Sequence, residues 1–268
     1  MKKEMVMWLI VAVLVVGLLL GTQKAETMAI SFDTAGDRVE FDTDAIYNLT
    51  QKTIVGTINA NGLDSFENTA VAGFIISFFN SSGYGVGVED NAVYGNVNAL
   101  YFFQTTTVQT GAWTSPQNSI AAGGEIAFAI SYDKGSTSND PIFYINGAPV
   151  ATTEISAPTG SFTETNTANA IIGTINDGGY YTFDGIIRDI RIYNRILTAA
   201  EIAQIYSARG RDNIRNGLVF CPFLNGAAGL QVFDGATLAA GNTIVDPCSG
   251  AVGVPAGNPV GVGETYLR

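Results

Sequence analysis

The sequence predicts an all-β protein built as an antiparallel β-sandwich, and three observations carry that prediction. Gly numbers 31 among 268 residues, Asn, Thr and Ser are abundant, and long helical patterns are scarce. That composition suits many short strands joined by tight turns. Asn146-Gly147 lies between Phe143-Tyr144-Ile145 and Pro149-Val150, and Asn-Gly tolerates the positive φ that a two-residue hairpin requires. From Ile186 to Ile192 the even positions read Ile, Arg, Ile, Ile and the odd ones Ile, Asp, Arg. This near-alternation describes a strand with one face on a core and one toward water.

In chain order, the first element is a hydrophobic helix. Lys2 and Lys3 precede an uninterrupted apolar run of 17 residues, Met5 to Gly21. As a helix it would be about 25 Å long, near the lower limit for crossing a bilayer core. It also exceeds the usual apolar stretch of a cleaved export signal. An uncleaved anchor, a cleaved signal and a buried assembly helix all remain open. The first two leave the lysines in the cytoplasm and export the rest. Residues 1–28 thus form an anchor or signal plus a polar linker.

Strand patterns then follow at short intervals: 54–58, 73–79, 85–88, a longer aromatic strand or hairpin over 98–108, and 125–132. Asn61-Gly62, Asn80-Ser81-Ser82-Gly83 and Gly123-Gly124 supply turns between them. After the strand at 186–192 the period becomes helical. Thr198 and Glu201 form a capping box, Ile202, Ile205 and Tyr206 an apolar stripe, and Gly210 stands at the C-cap. A strand at Gly217–Leu224 opens a Gly- and Ala-rich tail.

The run FDGIIRDIRIYNRIL leading into TAAEI resembles the closing segment of the laminin-G-like (concanavalin-A-like) jelly-roll family. FAISYD with IFYINGAPV resembles its hairpin pair, AIIGT the following strand, and ISFDTAGDRVEFD its opening strand. The resemblance implies a lectin-like jelly roll over residues 29–208, followed by an extension, 209–268, similar to the truncated opening of a second such domain. It also implies that calcium or a cell-surface glycan binds at loops on the sandwich rim. The fold hosts lectins, adhesion modules, enzymes and structural parts, so it alone assigns no activity.

Composition narrows the classes. Lys and Arg number 13 against 24 Asp and Glu, a formal net charge of −11, which argues against nucleic acid as a partner. The absence of histidine removes the Ser-His-Asp and Cys-His arrangements. Paired carboxylates remain the one catalytic option, and Asp42-Thr43-Asp44 is the nearest match to a glycosidase pair. Cys221 and Cys248, 27 positions apart, either close a disulfide in an exported chain or stay as two buried thiols.

Two loops qualify as ligand sites. Glu89-Asp90-Asn91 offers oxygen ligands for calcium, the one cofactor suggested, though ordinary turn chemistry explains the same residues. Asn176, Asp177, Tyr180 and Tyr181 place acid and amide oxygens beside rings that suit a sugar. Alternatively the two tyrosines begin a strand, one ring in and one out. Asp184 before Gly185 shapes a turn, and Arg188 on the apolar side of its strand needs a carboxylate, either Asp184 or an acid on a neighbouring strand. These features lead to the expectation of a non-enzymatic surface or virion structural protein. It would be membrane- or assembly-anchored through residues 5–21, outside the cytoplasm, and a homo-oligomer or assembly subunit. A secreted carbohydrate-binding module with its signal removed is the alternative, and a carboxylate glycosidase a weaker one.

Overall fold

The computed structural model describes residues 27–33, 36–41, 48–61, 73–79, 82–89, 97–163, 169–175, 181–209, 211–222, 244–245, 248, 252–256 and 260–264. The apolar run at 5–21, Asp42, Asp44 and Gly210 lie outside the described residues. Residues 28–263 form one compact unit.

The strands are β1 (Thr27–Phe32), β2 (Arg38–Phe41), β3 (Gln51–Ala60), β4 (Gly73–Phe79), β5 (Gly83–Glu89), β6 (Ala99–Gln104), β7 (Gly111–Thr114), β8 (Glu125–Asp133), β9 (Ile142–Ile145) and β10 (Ala148–Val150). They continue with β11 (Thr153–Ser156), β12 (Ala170–Ile172), β13 (Gly185–Tyr193), β14 (Leu218–Phe220), β15 (Ile244–Val245), β16 (Val252–Ala256) and β17 (Val260–Glu264); α1 (Ala199–Ala208) follows β13. One sheet runs β10-β9-β8-β3-β13-β1-β17, with β14 also on β13. The other runs β11-β7-β6-β5-β4-β12-β2-β16-β15. The result is the antiparallel sandwich that the composition and turn pattern predict.

The inward faces of the two sheets make the main core. Ile54, Ile58, Phe128, Ile130 and Phe143 from the first meet Phe78, Val86, Leu100, Phe102 and Trp113 from the second. Trp113 is wholly buried, its ring 5.9 Å from Phe102 and 5.3 Å from Tyr132, and its indole N–H donates to Asp140 at 2.8 Å. Lys52 on β3 is also wholly buried. Its Nζ donates to Oε1 of Gln104 at 2.8 Å and lies 4.0 Å from the centre of the Tyr84 ring, linking the two sheets. A desolvated ammonium over an aromatic face gains about 2 kcal/mol, part of what its burial costs.

Some elements depart from the sequence reading for identifiable reasons. The entry segment 30–42 is two strands, because the chain crosses from one sheet to the other after Phe32. The stretch 98–108 contributes β6 and ends at Gln104, with β7 next. In β13 a bulge at Asp189 (φ 54°) inserts an extra residue and shifts the parity of the strand. Ile187, Ile190 and Ile192 therefore face the main core, and Arg188 and Arg191 the opposite side. Arg188 is thus not on the apolar face, and among the described residues it forms an ion pair with Glu125 at 3.1 Å and none with Asp184. Arg191 bonds Asp189 and the buried Asp212, each at 2.7 Å.

The hairpin and the helix follow their sequence signals. Asn146 (φ 50°) and Gly147 (φ 79°) form the turn between β9 and β10. A Cβ on Gly147 would meet the Tyr206 ring at 2.9 Å, so only glycine fits there. Thr198 and Glu201 form the capping box, and Arg195 adds two bonds to Glu201 at 2.6 and 3.0 Å. Those bonds hold the Glu201 carboxyl down at about 2. The left-handed residue closing α1 is Arg209 (φ 48°).

The segment after α1 is part of the sandwich. β14 pairs with β13, β16 with β2, and Phe220 packs edge-on against Phe41 at 5.2 Å. Cys221 and Cys248 form a disulfide with Cα atoms 5.6 Å apart, joining the end of β14 to the residues before β16. Closing a loop of 27 residues stabilises the fold by roughly 3–4 kcal/mol. Replacing both cysteines by serine should lower the melting midpoint by about 10 °C for a domain of this size. Thermal unfolding of the two proteins side by side measures this. An unchanged midpoint would show that the tail is ordered without the crosslink.

Candidate functional site

The first two residues of β4 organise one end of the sandwich. Gly73 pairs with Val88 and Phe74 with Gly87 on one side. On the other, the Phe74 N–H donates to the Tyr181 carbonyl at 2.9 Å, and Phe74 bridges to Thr182. This approach is close, because a Cβ on Gly73 would lie 3.0 Å from the Cα of Phe183. Glu89 and Tyr181 are the described residues of the two candidate segments, and they flank the same strand end. Two strand spacings, about 10 Å, separate them across the sheet, with an offset of about two residues along the strands. Asp90, Asn91, Asn176, Asp177 and Tyr180 lie outside the described residues.

Tyr181 adopts a left-handed backbone (φ 65°) and is half-buried. Its ring stands edge-on to Phe74 at 6.3 Å and joins a second, smaller apolar cluster with Phe74, Tyr101, Phe103 and Ala112. That cluster lies on the face of the nine-stranded sheet turned away from the main core, since Phe74, Gly87 and Tyr101 are directly opposite one another. The cluster seats the half-buried Tyr181. Ser77 Oγ donates to the carbonyls of Thr174 and Ile175 at 3.0 and 3.1 Å, fixing the chain on the other side of the 176–180 segment.

Glu89 is the last residue of β5, not a loop residue, and it is wholly buried. Its carbonyl accepts from the Asn98 N–H at 2.7 Å. Asn98 and Asn118 both adopt φ 59° and are joined by a side-chain bond of 3.0 Å. Across the rim, Asn61 donates through Nδ2 to Asp184 at 3.3 Å and through its backbone N–H to the Asp184 carbonyl at 3.1 Å. Asp33 donates its N–H to the buried Asp37 at 3.1 Å, and Gly36 to Thr182 Oγ1 at 3.0 Å. The sequence reading singled out neither the Asn98–Asn118 pair nor the Asp33–Asp37 turn. Both are short Asn/Asp motifs whose partners are distant in the chain or whose role depends on sheet crossing. Among the described residues no group of three or more acid, His or Cys side chains is arranged to hold a metal ion.

This rim has the chemistry to bind hydroxyl-rich ligands. Asn amides donate, carboxylates and carbonyls accept, and Tyr181 offers a ring edge and face. Asp184 titrates above the usual carboxylate range, chiefly through burial and further through the negative charge of Asp33, against the pull of the Asn61 amide. A raised folded value means that the native state binds a proton more tightly than the unfolded chain. Stability contributed here is therefore present at low pH and lost as pH rises through the raised value. Asp184→Asn keeps an acceptor for Asn61 and removes the titration. It should be at least as stable as the native protein at about pH 7 and show a shallower decline above about pH 4. Melting curves across that range test this. A uniform loss exceeding about 1 kcal/mol would show that the ionised carboxylate supports the fold.

A family model of the laminin-G type, described as the concanavalin A-like lectin/glucanases superfamily, matches residues 63–203. No curated protein matches the chain. Among solved structures, a candidate carbohydrate-binding protein from Bacteroides ovatus ATCC 8483 superposes with a TM-score of 0.61 at 16% identity, over 90% of this chain and 61% of that one. The chain thus spans about three-fifths of that protein's length. The CBM40 of the Ruminococcus gnavus IT-sialidase gives 0.48 at 15% identity, over 66% of this chain and 96% of that one. The heptameric SAP-like pentraxin of Limulus polyphemus gives 0.44 at 15%, over 74% and 93%. At these identities the likeness is one of fold. With the family model matched over more than half its length, the chain belongs to the concanavalin A-like lectin/glucanases superfamily.

Proposed function

We propose that this protein is a non-enzymatic glycan-binding module working outside the cytoplasm, with its ligand at the rim around Phe74, Glu89, Tyr181 and Asp184. The observation carrying the reading is the convergence of Glu89 and Tyr181 on one strand end. One described residue from each of two segments chosen from composition thereby flanks that strand end. Superfamily membership supports a lectin-like use of the sandwich. The lack of any histidine supports binding without hydrolysis.

The apolar run at 5–21 behind two lysines supports display on a membrane, of a cell or of an enveloped particle, with copies arrayed for adhesion or self-association. The Cys221–Cys248 disulfide fits the same oxidising side of the membrane. A secreted module with its leader removed is the second reading, favoured by the weak small-residue site Thr27-Met28-Ala29. Fractionating expressed cells separates the two. An intact chain in the membrane fraction supports the anchor, and a shortened soluble chain supports secretion.

The test of binding uses the full chain in detergent on a glycan array, with and without calcium. The native protein should be retained on at least one glycan class. Asp177→Ala with Tyr180→Ala should abolish retention while changing stability by less than about 1 kcal/mol. Unchanged retention by the folded variant would move the site away from this rim.

A further inference from the structure

We infer that Lys52 and Gln104 condense into an intramolecular isopeptide bond, a covalent tie between the two sheets in addition to the Cys221–Cys248 disulfide. Lys52 lies on β3 of one sheet and Gln104 ends β6 of the other, 52 positions further along the chain. Both side chains are wholly buried. Nζ of Lys52 stands 2.8 Å from Oε1 of Gln104. A carbonyl bond is about 1.2 Å long, so the amine lies at most about 4 Å from the amide carbon, Cδ.

Neighbouring groups fix both partners. Lys52 is directly opposite Tyr132 in the first sheet, and Gln104 directly opposite Tyr84 in the second. The centres of the Tyr84 and Tyr132 rings lie 4.0 and 5.9 Å from Nζ. Nε2 of Gln104, the leaving nitrogen, donates to the Gly83 carbonyl at 3.2 Å. Groups held in reacting geometry behave as though present at about 10⁵–10⁸ M. Burial favours the neutral, nucleophilic amine over the ammonium. Exclusion of water removes hydrolysis of the amide as a competing reaction.

In the step itself, Nζ attacks Cδ and the Cδ–Nε2 bond breaks. The two protons that Nζ gives up pass to Nε2, which departs as ammonium. An alkylammonium and a primary amide thus become a secondary amide and ammonium, balanced in atoms and charge, with no oxidant or second substrate. The product closes a loop between the sheets by a bond that reducing agents leave intact.

Peptide mapping of the full chain, purified in detergent, tests this. Cleavage after glutamate divides the chain so that 41–67 carries Lys52 and 90–125 carries Gln104. The two peptides should appear joined, as one branched species lighter than their sum by one molecule of ammonia. Trypsin should fail to cut after Lys52. Locating the loss by fragmentation separates it from cyclisation at Asn61-Gly62 or Asn146-Gly147, which also releases ammonia. Lys52→Arg should release both peptides unlinked, and if that variant does not fold the native digest decides alone. Free 41–67 and 90–125 from the folded native protein would overturn the inference.

Discussion

The hydrogen bond from Phe74 N to Tyr181 O is the contact on which the architecture of this rim depends. Phe74 pairs with Gly87 on its other side, so one residue ties the β5 end to the segment returning into β13. Its ring reinforces the same junction, edge-on to Tyr101 at 6.1 Å, Phe103 at 5.8 Å and Tyr181 at 6.3 Å. Each such pair contributes about 0.5–1.5 kcal/mol beyond burial. A left-handed tyrosine is normally disfavoured, and here the backbone bond and the ring contacts together fix it. Local strain and local packing thus meet where the ligand surface is proposed.

The remainder of the molecule holds that junction in place. Two sheets share one apolar core, yet several charged groups are buried between or behind them. Lys52 spans the sheets through Gln104 and the Tyr84 ring, and Arg191 is enclosed by Asp189 and Asp212. Buried ion pairs add little net stability, but removing one partner costs about 3–5 kcal/mol. Removing Asp189 or Asp212 would therefore leave part of the Arg191 charge uncompensated in the interior. The bulge at Asp189 belongs to the same group of ion pairs, since Asp189 bonds Arg191 from the inserted position.

Much of the fold was legible because its signals are local. The Asn146-Gly147 turn, the Thr198–Glu201 capping box and the alternating runs each declare themselves within a few residues. The β13 parity was not legible, because a bulge is set by the ion pairs around it and leaves the count of apolar residues unchanged. The tail's Gly-rich strands carry little pattern, so their places in the two sheets follow from pairing that the sequence does not display. Composition marked both candidate segments, and only the pairing of β4 with β5 and with 181–182 shows that Glu89 and Tyr181 flank one strand end. Glu89 was readable as an acid near a turn, but its burial at a strand end follows from the sheet register.

The central claim is spatial: ligand engages the end of the sandwich organised by Phe74. Hydrogen–deuterium exchange of the full chain, with and without a saturating oligosaccharide retained on the array, tests it most directly. The account predicts added protection in peptides covering 73–76, 87–89 and 181–185, with little change over 104–111 and 133–141 at the opposite end. Protection confined to the opposite end would contradict it.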